Sequence, residues 1–295
     1  ADKGQNWTQF FDGHVTGNNL LGWEEDASDA DGQGSYDLAY AIDPTDANKM
    51  FVGGVANWKT ADGGTNWEIS NFWYDNGVNP KVHADKHFLV YHPLNSSVLF
   101  ECNDGGVWKS TDAGVTWTNL TDGLVIGQFY DIDCSQTDAD MIVGGFQDNG
   151  SKLRTSSGWA EASGGDGMGC QIDDQNGHVY TSYVQGVLYR DYWTNNWTVI
   201  SENIPGGQPK GSWLTPFILD PANQAIIYAG YDEIYKSTDS GDSWTQITNF
   251  GNAINLNYLA MAPDNSNILY AGLQNNVMKS TDGGSTWNDI TAGLP

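Results

Sequence analysis

The sequence predicts an all-β chain, a β-propeller of four-stranded blades, and three observations carry that prediction. A nine-residue motif recurs as "KTADGGTNW" (59–67), "KSTDAGVTW" (109–117), "KSTDSGDSW" (236–244) and "KSTDGGSTW" (279–287). The Trp that closes it returns at the length of a propeller blade, roughly 40–50 residues. Finally, 36 Gly with 13 Trp and 14 Tyr in 295 residues describe a turn-dense, aromatic-rich chain without helical periodicity.

Aligning on that Trp recovers three weaker copies, "ADKGQNW" ending at Trp7, "RTSSGW" at Trp159 and "RDYWTNNW" at Trp197. Successive Trp residues then stand 60, 50, 42, 38, 47 and 43 positions apart. Each interval repeats one order: an apolar strand, an Asp/Pro/Asn turn, a second apolar strand, a short polar turn, a third strand, the motif and the Trp strand. "YDLAYAIDPTDANKMFVGGV", "HFLVYHPLNSSVLFECN" and "TPFILDPANQAIIYAGY" show the first two strands with their turn. Six complete blades are expected, at about 8–72, 73–121, 122–162, 163–201, 202–248 and 249–292, plus an orphan outer strand at "NWTQFF". Because "ADKGQNW" matches "ADGGTNW" from its first residue, 1–295 reads as a single propeller domain of a longer polypeptide. The remainder of that polypeptide is expected to complete a seven-bladed ring; the alternative is a ring that closes with fewer blades.

The motif fits the hairpin between third and fourth strands. Its Asp can accept from backbone N–H groups of its own turn, its Gly can take positive φ, and its Ser or Thr supplies a second local bond. The Trp then fills the gap between outer strands, where an indole buries about 150–250 Å². Asp62, Asp112, Asp239 and Asp282, with Trp67, Trp117, Trp244 and Trp287, are therefore expected to be structural. These residues also resemble the Asp-box, or bacterial neuraminidase repeat, of sialidases, sortilin-like receptors and xyloglucanase-type glycoside hydrolases. "HADKHFLVYHP", "NDGGVWKSTDAGVTW" and "FQDNGS" resemble secreted propellers of Bacteroidota. The resemblance implies a fold and an extracellular or cell-surface location; it does not by itself imply an activity.

Composition restricts the partners. Twelve Lys and Arg against 37 Asp and Glu give a net charge of −25, which repels nucleic acid and anionic lipid and favours neutral glycans, cations or basic proteins. No apolar run approaches the length of a membrane span. Cys102, Cys134 and Cys170 lie in apolar strand patterns and are expected to be buried free thiols. A sialidase would need three channel-facing arginines for a substrate carboxylate, and the chain has only Arg154 and Arg190.

In a propeller, loops joining blades and loops between second and third strands share one face. On that face fall His83, Asp85 and His87 of "VHADKH", Asp104 of "NDGG", Gln147, Asp148 and Asn149 of "QDNG", and Asp166 of "GGDG". Carboxylates crowded at strand mouths either raise one another's pKa or draw in a cation. As an acid/base pair, Asp104 with Asp85, Asp148 or Asp166 suits glycoside cleavage, and Asp104 resembles the catalytic Asp that xyloglucanase-type enzymes place before paired Gly. As a cation site, Asp85, Asp104 and Asp148 offer oxygens to Ca2+, with His83 and His87 more suited to a transition metal, although no cofactor is required. Trp23, Trp73, Tyr74 and Trp213 lie in blade-joining segments and suit sugar stacking. The acidic first insertion, "GWEEDASDADGQGSYD", reads as a lip or a cation-binding loop. A glycan- or protein-binding module is the favoured reading; a glycoside hydrolase and a structural domain of an adhesin-like surface protein are the alternatives.

Overall fold

The computed structural model describes residues 9, 11–124, 126–191, 196–251 and 256–292, which fall into two compact units, up to Ile126 and from Gly127 onward. The described chain is all-β, with six four-stranded antiparallel sheets and only two short 3-10 turns. Every sheet is ordered first to fourth strand as in the sequence, the meander of a propeller blade. The first unit holds two sheets, beginning at Ala39–Ile42 and Lys86–His92. The second holds four, beginning at Phe129–Cys134, Cys170–Asp173, Phe217–Asp220 and Tyr258–Ala262. No helix among the described residues is long and apolar enough to cross a membrane.

Local chemistry sets the turns between first and second strands. Asp43 Oδ1 accepts the N–H of Thr45 at 2.7 Å and of Asp46 at 3.2 Å; Asp173 Oδ1 does the same for Gln175 at 3.0 Å and Asn176 at 2.8 Å. A short acceptor side chain thereby closes the turn locally, and the same groups reach the next sheet, where Ser96 Oγ donates to Asp43 Oδ1 at 2.7 Å and Gln175 N to Gln224 Oε1 at 3.0 Å.

The recurring hairpins share one hydrogen-bond pattern. Asp112 Oδ1 accepts from Ser110 Oγ at 2.8 Å, Val115 N at 3.1 Å and Thr116 N at 2.8 Å, and Oδ2 accepts from Thr116 Oγ1 at 2.6 Å. Ser110 Oγ in turn accepts the Gly114 N–H at 2.8 Å. Asp62, Asp239 and Asp282 make the corresponding bonds, at 2.8–2.9 Å from their own Ser or Thr hydroxyls.

These hairpins also join blades, which local reasoning about the motif did not reach. Gly114, at φ 79°, lies so close to the first blade that a Cβ would stand 2.5 Å from the Phe51 ring, and its carbonyl accepts from Ser70 Oγ at 2.6 Å. In the second unit Arg190 Nη1 donates to Ser240 O at 2.6 Å and Asn203 Nδ2 to Gly241 O at 2.9 Å, so the fifth hairpin sits on the fourth blade. Trp244, 4% exposed, adds an indole N–H bond to Ile200 O at 3.0 Å. First strands are coupled too: Asp131 Oδ2 accepts Cys170 N at 3.0 Å and Asp133 Oδ2 accepts Ile172 N at 2.7 Å.

Trp67, Trp117, Trp197 and Trp287 each pack partly buried against an apolar cluster. Trp159 does not: it is 58% exposed. In the strong motifs the Trp follows the second of the paired turn residues by three positions, whereas Trp159 directly follows Gly158 and enters the ladder opposite Arg154. Trp7 and most of "NWTQFF" lie outside the described residues. The cysteines are all free, but only Cys170 is buried; Cys102 is half-buried and Cys134 exposed, because the strand Phe129–Cys134 turns its end to solvent.

Candidate functional site

In the first unit, three segments meet at the mouth of the second sheet. Asp85 immediately precedes the strand Lys86–His92 at φ 62°, a left-handed conformation that Asp tolerates better than most residues. Asp104 and Gly105 form the tight turn between Asn95–Asn103 and Gly106–Ser110. Gly105 is required there because a Cβ would lie 2.3 Å from the His83 ring. The first insertion closes over both. Gln33 Nε2 donates to Asp85 Oδ1 at 2.9 Å, and the Tyr36 hydroxyl donates to Asp104 Oδ2 at 2.7 Å. His87 Nε2 donates to Asp104 Oδ1 at 2.7 Å, and its ring meets Tyr36 edge-on at 5.1 Å. Oxygens of Asp85 and Asp104 lie within 4.8 Å of each other.

Beneath them sits a charged core. Asp37 is 0% exposed, its carboxylate oxygens accept no hydrogen bond, and it is set against Asp85. Lys86 is fully buried and donates to Val55 O at 2.7 Å and His83 O at 2.6 Å, with Glu101 Oε1 at 4.0 Å. Glu101 accepts from Asn57, from Asn71 at 3.0 Å and from Asn103 at 2.8 Å. Burial, then the charge of Asp85, raises the Asp37 carboxyl to about 7. Burial and the neighbouring Asp104 raise Asp85 in the same direction. Burial pushes Lys86 down and Glu101 up, each opposed by the other's charge.

The second unit gathers the other expected residues. Asp148, at φ 56°, donates its N–H to Asp166 Oδ1 at 2.9 Å, so Asp166 supports the turn that carries Asp148. Tyr130 donates to Gln147 Oε1 at 2.9 Å and receives the Trp213 indole N–H at 3.0 Å, while Asn149 Nδ2 donates to Gln147 O at 3.0 Å. Arg190 is buried against the fifth hairpin, and Arg154 pairs with Asp140 at 3.1 Å.

A separate aromatic group forms in the first unit. Trp23, Trp73 and Tyr74 are 39%, 38% and 42% exposed. Trp73 and Tyr74 meet edge-on at 4.8 Å, both against the fully buried Phe72, and Trp73 Nε1 donates to Trp23 O at 3.2 Å. Beside it Asn76 Nδ2 donates to Glu25 Oε2 at 2.6 Å.

The sequence placed His83, Asp85, His87 and Asp104 on one face; Asp85, His87 and Asp104 meet there, and the His83 ring packs against the turn at Gly105 while its carbonyl accepts from Lys86. Gln33, Tyr36, Asp37 and the Lys86–Glu101 pair were not anticipated. The only signal was the phrase "GQGSYD", read as an acidic lip.

No protein-family profile matches the chain. It is 24% identical over 252 residues to a xyloglucanase of Acetivibrio thermocellus, covering 79% of this chain and 27% of that enzyme. A xyloglucanase of Hypocrea jecorina is 31% identical over 104 residues, 31% of this chain and 12% of the enzyme. The chain thus spans 27% or less of the length of these curated relatives. The crystal structure of a GH74 xyloglucanase from Xanthomonas campestris aligns with a TM-score of 0.43 at 16% identity, over 84% of this chain and 45% of that one.

Proposed function

We propose that this chain is a propeller region of an extracellular or cell-surface protein that binds a neutral polysaccharide. The observation that carries the reading is the Trp23, Trp73 and Tyr74 platform. The exposed rings of Trp73 and Tyr74 are held by each other and by Phe72, and Trp73 is tied to the Trp23 carbonyl, so they are ordered before any ligand arrives and stacking a sugar face on them costs little conformational entropy. Glu25 and Asn76 supply acceptors and donors for hydroxyls at its edge. The net charge of −25 selects against anionic glycans. The xyloglucanase relatives make xyloglucan oligosaccharides the first ligands to titrate. By calorimetry, Trp73→Ala should weaken binding roughly tenfold, the loss of about 1.4 kcal/mol of stacking. Unchanged affinity in that variant, or no heat with any neutral glycan, would sink the reading.

The same relatives favour a second reading, glycoside hydrolysis through Asp104 with Asp85. In the first unit, however, Asp37, whose carboxyl is raised to about 7 by burial and then by the charge of Asp85, is 0% exposed and cannot reach a glycosidic oxygen. Release of reducing ends from xyloglucan, abolished by Asp104→Asn, would establish hydrolysis over binding alone.

A further inference from the structure

We infer that the second unit carries a carbohydrate subsite of its own, in which the Trp213 indole is the stacking surface and Tyr183 and Asp166 are the hydroxyl partners. The inference rests on the polysaccharide reading above and adds a second place, built from other sheets, that holds the same class of ligand. Trp213 is 52% exposed, with Leu214 beside it at 36%. A lone exposed indole is ordinary on a protein surface, but this one is fixed at both ends.

Its N–H donates to the Tyr130 hydroxyl at 3.0 Å, and Tyr130 donates onward to Gln147 Oε1 at 2.9 Å. Its carbonyl accepts the Gln185 N–H at 3.3 Å, and Gln185 O accepts from Gly211 N at 3.2 Å. The segment therefore lies on the turn Val184–Gly186 of the fourth sheet and reaches the first strand of the third. That turn is itself held: Gln185 sits at φ 59°, and the Gly186 carbonyl accepts from the buried Tyr231 hydroxyl at 2.6 Å. With the indole N–H already engaged, the ring offers solvent its carbon skeleton, the surface that stacks on a sugar face. A ring fixed before capture loses little conformational entropy on binding.

Polar groups for the hydroxyls stand on the same turn and on the loop beside it. Tyr183 opens the turn, and its ring packs against Gly165, where a Cβ would lie 2.7 Å away. Gly165 precedes Asp166, which engages Oδ1 with the Asp148 N–H at 2.9 Å and keeps Oδ2 for a hydroxyl. Burial and the nearby charges of Asp166 and Asp148 push the Tyr183 phenol up, so it remains a donor at neutral pH. A phenolic donor and a carboxylate acceptor on adjoining loops match a sugar hydroxyl, which both donates and accepts. The same carboxylates disfavour uronic acids and sulfated sugars, so the ligand class is a neutral glycan.

The test is calorimetric titration of the whole chain with a short xyloglucan oligosaccharide, for which two binding events per chain are expected. Trp73→Ala should leave one event, and in that background Trp213→Ala should weaken it about tenfold. Trp213→Phe, which keeps a ring without the N–H, should retain it and so separates stacking from the tie to Tyr130. Tyr183→Phe and Asp166→Asn should each weaken it about threefold or more, and they decide the matter if Trp213→Ala does not fold. A single event lost with Trp73→Ala and indifferent to changes at Trp213, Tyr183 and Asp166 would overturn the subsite and leave the platform standing. A single event lost with Trp213→Ala and untouched by Trp73→Ala would do the reverse. No heat with any neutral glycan would overturn both.

Discussion

Replacing Gly114 by Ala tests how the motif hairpins hold neighbouring blades. Two costs add. At φ 79° an L side chain is strained by about 1–2 kcal/mol. The new methyl would also stand 2.5 Å from the Phe51 ring and 2.8 Å from Ser70 Oγ, and overpacking of that kind costs about 1–3 kcal/mol. The expected loss is therefore about 2–5 kcal/mol in urea denaturation followed by tryptophan fluorescence. Gly123→Ala is the matched control. It has the same backbone problem, at φ 86°, but nothing lies within 4 Å of its Cβ, so only about 1–2 kcal/mol should go. The difference between the two variants isolates the contact between blades. Equal losses would refute the idea that the hairpin clasps the preceding sheet.

Two further outcomes follow from the hairpins. The N–H and side chain of Asn66 and the hydroxyl of Thr60 lower the Asp62 carboxyl from 3.8 to about 2. Its stabilisation is therefore complete above about 3.8 and lost as pH falls through about 2, and a carboxyl carbon NMR titration should show that low midpoint. Trp244→Ala should cost about 3–5 kcal/mol and Trp159→Ala within about 0.5 kcal/mol by urea denaturation, because the first indole is 4% exposed and the second 58%.

The blades were legible because their signals are short-range. A turn Asp accepts from residues two to four positions on, as Asp112 does from Thr116, and the Trp spacing counts strands. Trp159 shows the limit, since counting Trp residues ignores their offset from the turn glycine. The site was legible only in its turn residues. Asp104 and Asp85 announce themselves by Gly and His neighbours, but their partners come from 68 and 52 positions away, at Tyr36 and Gln33. Nothing local marks Asp37 as buried either. Composition places an Asp in solvent by default, and only the insertion's path carries it inside.

The blade-to-blade hairpins also have a direction. Where the structure describes such contacts within a unit, the later sheet reaches back: the second onto the first through Gly114, the fifth onto the fourth through Ser240 and Gly241. A chain leaving the ribosome amino end first would find each latch's receptacle already made before the latch itself emerges. Assembly could then advance like a row of roof tiles laid from one end, and mechanical unravelling would start most easily from the tile laid last.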